Sequence, residues 1–350
     1  MRILLVTDAW FPQVNGVVRT LDTVCRTLRA QGHVVEIITP NDFRTIPCPT
    51  YPEIRLALNA APKIARRLDD FAPDAIHIAT EGPLGLAAWR LCRRRGLPFT
   101  TSFHTKFPEY LHARFRVPVR WGYRWLRHFH SRAERVLVAT DTIMAALAEW
   151  GFTNTVSWSR GVDTELFRPR DIREIPHDMR YLARPIHLYV GRVAVEKNIE
   201  AFLSLDLRGS KLVVGDGPQL EELARRFPKA VFAGARYGDD LARHFAAADV
   251  FVFPSRTDTF GLVLLEALAS GTPVAAFPVP GPLDVIADPA VGCLDNDLAT
   301  AVRQALTLAP SACRTYALGY SWQACAELFR SYLAPIGPAQ MAPRERLATA

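Results

Sequence analysis

No apolar run in the sequence approaches the roughly 18 residues needed to cross a membrane as a helix. The amino-terminal MRILLVTDAWF has one basic residue, a short apolar run and no small-residue cleavage site, so it does not resemble a signal peptide. Met1 to Thr7 reads instead as a first buried strand. There is no CxxC pair and no Cys/His zinc spacing. The six cysteines (Cys25, Cys48, Cys92, Cys293, Cys313, Cys325) are scattered, as small buried residues in a reducing cytosol would be. GxGxxG is also missing from the first strand-to-helix turn, Thr7 to Val17, which disfavours a dinucleotide site there. Lysine is scarce, so the net charge of +7 is carried almost entirely by arginine. A basic chain attracts phosphate, whether in nucleic acid, anionic lipid or a phosphorylated substrate. Composition does not choose among them.

The 350 residues, 49% of them hydrophobic, suit about two soluble domains. Short apolar runs (Ile3 to Val6, Val34 to Ile38, Ala75 to Ile78, Phe99 to Phe103, Val136 to Ala139) alternate with helix-like stretches at Val17 to Ala30, Pro62 to Phe71 and Leu84 to Arg95. That alternation predicts a parallel sheet covered on both faces. Gly32 and Gly96 stand where helices should stop. A charged, proline-punctuated stretch from Val162 to Pro185 interrupts the pattern and reads as a linker over 166–185. Alternation then restarts at Ile186 to Val190, Lys211 to Val214, Val231 to Ala233, Val250 to Phe253 and Val274 to Phe277. Asp297 to Leu308 and Trp322 to Leu333 look helical. The expected organisation is a first domain over 1–165, a second over 186–334, and a frayed tail over 335–350. Two doubly wound parallel-sheet domains would then face each other across a cleft, a favoured place for ligands.

Three strand-to-helix turns carry candidate chemistry. Asn15-Gly16 can present backbone N–H groups to an anion at a helix N-terminus, or can be an ordinary turn. Gly191-Arg192, followed by Lys197, brings two cations to a sheet edge, suited to a diphosphate leaving group or to a solvated charged loop. Gly215-Asp216-Gly217-Pro218 can let a base or ribose pack on backbone, or can simply turn the chain. The stretch Ser255 to Phe277, SRTDTFGLVLLEALASGTPVAAF, then reads as strand, polar loop, helix and strand. Asp258 stands before its helix, and Glu266 lies inside an otherwise apolar one. A solvated face and a ligand-binding role both remain open for Glu266.

In order, G-R-x-x-x-E-K-N, V-G-D-G-P and A-A-D-V-F-V-F-P-S-R-T-D-T-F-G-L-V-L-L-E-A-L-A-S-G-T-P-V-A resemble the retaining glycosyltransferases of family 4. That family has the GT-B fold of two facing Rossmann-like domains, and the resemblance covers nearly the whole chain. Asn15-Gly16-Val17, Ser102-Phe103-His104-Thr105 and Arg160-Gly161-Val162-Asp163 also look like its landmarks. The resemblance implies that Arg192 and Lys197 bind the nucleotide diphosphate, with Asn15-Gly16 nearby and Glu266 on the ribose hydroxyls. Asp258 takes the first position of the family's E-x7-E pattern, where glutamate is usual. It would hold the donor sugar's hydroxyls with a reach one methylene shorter. The amides of Phe260, Gly261 and Leu262 would meet the sugar or diphosphate, and His104, followed by Thr105-Lys106, would stand by the transferred sugar. Such enzymes let the departing phosphate take the acceptor's proton on the same face, so no side-chain nucleophile is expected. Asp295-Asn296-Asp297 has the D-x-D form of a metal site, but it precedes a helix and reads as an N-cap at Asp295 or Asn296. No metal and no cofactor are expected, the nucleotide sugar being a substrate.

On the acceptor side, His112 to Arg135 has seven arginines (114, 116, 120, 124, 127, 132, 135) against the single acid Glu134. Trp121, Trp125 and Phe129 make one helical stripe, and Arg120, Arg124 and Arg127 a neighbouring one. The stretch suits an anionic bilayer surface, or a helix with aromatics in the core and arginines in solvent. No RNA-binding motif accompanies it. Within the family, the blocks at Arg160 and Thr257 look closest to GDP-mannose-dependent α-mannosyltransferases and to sulfoquinovosyl- and glucuronosyl-diacylglycerol synthases. The expectation is hexosyl transfer from GDP-mannose or a UDP-sugar to a lipid hydroxyl, such as that of diacylglycerol, by a cytoplasmic protein on the inner membrane face. Transfer to a polysaccharide or small molecule, a sugar-nucleotide epimerase of the same fold, and a non-catalytic binding protein are the rivals.

Overall fold

The apolar runs become the strands of two six-stranded parallel sheets. The computed structural model describes residues 1–13, 15–48, 51–104, 108–109, 116–258, 260–337 and 340, without the side chains of 51–53 and 172. Contacts divide the chain into two units. The first comprises Met1–Ala139, Met144–Ser159 and the segment from Cys325 onward; the second comprises Thr140–Ile143 and Arg160–Ala324.

The first unit's sheet has the order β2-β1-β5-β6-β7-β8. These strands are β1 (Arg2–Val6), β2 (Val34–Ile38), β5 (Ala75–Ile78), β6 (Thr100–Phe103), β7 (Val136–Val138) and β8 (Thr155–Ser157). Between β2 and β5 lies an antiparallel pair that the periodicity did not foretell, β3 (Thr45–Cys48) and β4 (Tyr51–Ala57). Ile3 to Val6 and Ala75 to Ile78 are fully buried, as strands covered on both faces should be. The helices Ala61–Phe71 and Pro83–Arg95 seal one face through Ile64, Leu68, Leu84, Ala88 and Trp89. Gly96, at φ +66°, ends the second of these in the left-handed conformation that glycine adopts without strain.

Asp8, just past β1, ties this unit's loops together. Its carboxylate accepts from the backbone N–H of Leu84 (2.8 Å) and Gly85 (3.2 Å) and from Thr80 Oγ1 (2.9 Å). It thereby caps the N-terminus of helix Pro83–Arg95 from a neighbouring strand's loop. A Cβ on Gly82 would lie 2.4 Å from Asp8 Cγ, so a side chain there would force the two segments apart. Burial pushes the Asp8 carboxyl up, and these three hydrogen bonds only partly offset it. Asp8→Ala leaves two buried amides without partners and is expected to cost about 1–3 kcal/mol, read from urea unfolding midpoints.

The second unit's sheet has the order β11-β10-β9-β12-β13-β14. The strands are β9 (Ile186–Val190), β10 (Ser210–Val214), β11 (Val231–Gly234), β12 (Val250–Phe253), β13 (Val274–Ala276) and β14 (Gly292–Leu294). The stretch expected to link the domains is held onto this unit. Arg170 pairs with Asp239 (2.7 Å) and Glu174 (2.9 Å), and Asp178 with Arg236 and His244 (3.3 Å each). At the other end, the frayed tail is corrected in part. Pro335 bridges Ala75, and Ile336 N–H donates to Asp74 O at 2.7 Å. Residues 338–339 and 341–350 of that tail lie outside the described residues.

Burial works to raise the Asp178 carboxyl, but bonds and charge from His244 and Arg236 outweigh it and hold it below its ordinary 3.8. A carboxylate with a depressed native pKa adds stability that is complete above its unfolded pKa and fades as pH falls through the native one. The melting temperature should therefore fall less steeply in Asp178→Asn than in wild type as pH drops below about 4. Parallel pH profiles would remove Asp178 as an anchor of the segment.

Candidate functional site

In the second sheet the strand order reverses between β9 and β12. Loops leaving the carboxyl ends of strands at such a reversal diverge and leave a crevice where ligands bind in open α/β sheets. Gly191 and Arg192 leave β9 there, and Pro254 to Asp258 leave β12. Three contacts join these loops. Lys197 Nζ donates to Asp258 Oδ1 at 2.5 Å, Asn198 Nδ2 to Pro254 O at 3.0 Å, and Thr257 Oγ1 to Glu196 O at 3.2 Å. Asn198 has φ +53°, a left-handed conformation that asparagine tolerates better than most residues, which explains its place in the Glu196-Lys197-Asn198 turn. Beneath it, the Tyr189 hydroxyl donates to Arg192 O at 2.9 Å and fixes the turn that presents the guanidinium.

The glycines set how closely the loops approach. A Cβ on Gly215, after β10, would lie 1.8 Å from Gly191 O, and one on Gly217 would lie 2.4 Å from Val193 O. The two loops therefore meet backbone to backbone, and Val193 N–H donates to Asp216 O at 2.8 Å.

Across the same edge, helix Leu262–Ala269 starts from Gly261, whose φ of +83° turns the chain into it. No described side chain caps this helix, whose first amides lie at the helix start beside Phe260. Glu266 is only 3% exposed, which removes the solvated-face reading. Asp258 Oδ2 is buried and has no hydrogen-bond partner among the described residues. A buried carboxylate oxygen in that state calls for a donor. Thr259, between these groups, lies outside the described residues. Thus Gly191, Arg192, Lys197, Gly215 and Asp258 gather on one sheet edge, Phe260, Gly261 and Leu262 lead into the helix that follows, and Glu266 lies one turn inside it.

In the first unit, Asn15 is the N-cap of helix Gly16–Ala30, its Oδ1 accepting from Val17 and Val18 N–H at 3.0 Å each. That engages two of the amides the turn could have offered an anion and narrows the offer to the backbone around Gly16. His104 follows β6 and packs edge-on against Trp158, ring centroids 6.1 Å apart. Thr105 and Lys106 lie outside the described residues.

Helix Val119–His130 divides its aromatics. Tyr123, Leu126, Phe129 and His130 are buried, whereas Trp121 is 62% and Trp125 41% exposed, among exposed Arg120, Arg124 and Arg127. The expected stripe therefore runs from the core at Phe129 to the surface at Trp121. Residues 112–115 of this stretch, Arg114 included, are not described. The D-x-D sequence does cap a helix, but through Asp297, which accepts from Ala299 N–H at 3.1 Å, rather than Asp295 or Asn296. Asp295 accepts from Asp297 N–H instead.

Sequence reasoning passed over Glu81 and His130, which bond in the first unit (Nε2 to Oε1, 3.0 Å). They are 49 residues apart and no local pattern joins them; the Glu81-Gly82-Pro83 helix start was the one available signal.

The chain matches the profile described as Glycosyltransferase Family 4 over residues 14–166 and that of Glycosyl transferases group 1 over 184–309. It is 32% identical to a GDP-mannose-dependent alpha-mannosyltransferase of Mycobacterium tuberculosis, over 96% of this chain and 97% of that one. An alpha-monoglucosyldiacylglycerol synthase of Streptococcus pneumoniae is 28% identical, over 89% of this chain and 79% of its own. Among solved structures, sucrose-phosphate synthase from Thermosynechococcus elongatus superposes with TM-score 0.78 at 24% identity, over 94% of this chain and 98% of that one. With a relative this similar over nearly its whole length, and two parallel-sheet units of the GT-B type, the chain belongs to glycosyltransferase family 4 and is a hexosyltransferase.

Proposed function

We propose that the protein transfers a mannosyl or related hexosyl group, with retention, from a nucleotide-diphosphate sugar to a membrane lipid hydroxyl such as that of diacylglycerol. GDP-mannose is the first candidate donor, on the strength of the mycobacterial relative. The observation that carries the donor side is Asp258, with one oxygen held by Lys197 at 2.5 Å and the other buried and unpartnered among the described residues. A sugar hydroxyl is the donor such an oxygen lacks. Glu266, buried inside helix Leu262–Ala269, suits the ribose hydroxyls, and the first amides of that helix suit the sugar or diphosphate.

In the reaction, the bond from the anomeric carbon to the diphosphate oxygen breaks as the bond to the acceptor oxygen forms on the same face. The acceptor's proton passes to the departing phosphate. Negative charge grows on that phosphate, and fixed cations aimed at it lower the barrier. Arg192 and Lys197 fill this role in our reading and take over a metal's electrostatic work. His104 would stand by the transferred sugar without acting as a base, and Asn15-Gly16 near the donor. A thermal-shift series tests the donor assignment. GDP-mannose at a hundred times its dissociation constant should stabilise wild type by about 2.7 kcal/mol, and Lys197→Ala far less. Equal stabilisation of both proteins sinks the diphosphate assignment. Transfer should also proceed unchanged in a chelator; its loss would show a metal requirement.

For the acceptor side, no helix among the described residues is long and apolar enough to cross a membrane. Trp121 and Trp125, exposed among Arg120, Arg124 and Arg127, suit peripheral attachment to an anionic bilayer, the indoles at headgroup depth and the guanidinium groups on phosphate. That would place the enzyme on the inner face of the cytoplasmic membrane. Sedimentation with vesicles containing phosphatidylglycerol should exceed that with neutral vesicles and fall in Trp121→Ser/Trp125→Ser. Equal binding to both vesicle types contradicts the reading.

A further inference from the structure

The first sheet also reverses its strand order, between β1 and β5. The loop leaving β5 carries Glu81, and beside it lies a groove of about 520 Å³, within the roughly 300–1,000 Å³ usual for small-molecule sites. One wall is a face of helix Pro83–Arg95: Pro83, Leu86, Ala87 and Arg90, spaced i, i+3, i+4 and i+7. The opposite wall is the backbone turn and small side chains at the start of helix Ala61–Phe71. Polar side chains line it at three points: exposed Asn59 before helix Ala61–Phe71, Glu81 before helix Pro83–Arg95, and exposed Arg90, about 10 Å further along that second helix.

Glu81 is held in place. His130, fully buried, binds Thr101 Oγ1 through Nδ1 at 2.8 Å and Glu81 Oε1 through Nε2 at 3.0 Å. Among the described residues His130 is the carboxylate's one hydrogen-bonding partner, so the second oxygen is available to a ligand's O–H. Among the described residues no aromatic ring lines the groove to stack on a sugar, and the alanine, leucine and proline of its walls suit methylene groups.

We propose that this groove is the subsite for the acceptor, a glycerolipid whose free hydroxyl bonds Glu81 while its chain lies along Leu86 and Ala87 toward Arg90. His130 is a positioning residue that fixes the carboxylate. The assignment rests on the lipid-acceptor reading above and gives that reading a location within the first unit.

The test measures mannosyl transfer from GDP-mannose to short-chain diacylglycerol in mixed micelles, for wild type, Glu81→Gln and Ala87→Phe. The last variant fills the groove without touching the carboxylate. Glu81→Gln should raise the acceptor KM about tenfold or more, as loss of a hydrogen bond to a charged group does, and Ala87→Phe should raise it by occupying the groove. The thermal shift given by GDP-mannose should stay at its wild-type size, which separates the effect from unfolding. If wild type transfers to diacylglycerol and both variants keep its acceptor KM, the groove assignment is overturned and the lipid reading stands. If wild type transfers to a soluble sugar acceptor and not to diacylglycerol, the lipid reading and the groove assignment fall together.

Discussion

The pairing of Lys197 with Asp258 is the contact on which the arrangement of the second unit's sheet edge depends. Each group alone, at a half-buried sheet edge, would carry a desolvation cost; paired at 2.5 Å they offset one another. The pair also fixes where the β9 and β12 loops stand, since the bonds Asn198–Pro254 and Thr257–Glu196 flank it. On its other side the β9 loop meets the β10 loop backbone to backbone, where a Cβ on Gly215 would lie 1.8 Å from Gly191 O. The β9 loop is thus held from both sides, by glycine placement toward β10 and by the ion pair toward β12.

Much of this was legible in the sequence because the second unit spends few residues between strand and function. Apolar runs marked β9, β10 and β12 within a residue, and the residues just past each run proved to be the ones at the sheet edge. Glu266 was ambiguous in sequence, since a single acid in an apolar helix fits either a wet face or a site. Burial at 3% removes the wet face, and burial depends on neighbours from distant segments that periodicity does not report. The cap before helix Leu298–Ala305 was recognised as a cap but placed at the wrong residue, because Asp295, Asn296 and Asp297 are all competent caps and only backbone geometry selects one.

Less of the first unit could be read. The antiparallel pair β3–β4 has no clean alternation, and proline interrupts both strands. Asp8 looked like one loop residue among several, yet it reaches a helix start some 76 residues away. The Glu81–His130 bond is equally nonlocal. The basic helix shows the limit of pattern most plainly. Trp121, Trp125 and Phe129 share a stripe, but the core ends part-way along it, so one ring is buried and two are exposed. Polar contacts across long sequence separations, and the edge of a core, are properties of the packed chain.

Retaining transfer of a hexosyl group from a nucleotide-diphosphate sugar to a lipid hydroxyl is the central claim. Its most direct test is the anomeric configuration of the product made from GDP-mannose labelled with carbon-13 at the anomeric position, with diacylglycerol as acceptor, read from the one-bond carbon–hydrogen coupling. The account predicts an α-linked mannosyl lipid, the configuration of the donor. A β-linked product, or free mannose with no lipid product, would contradict it.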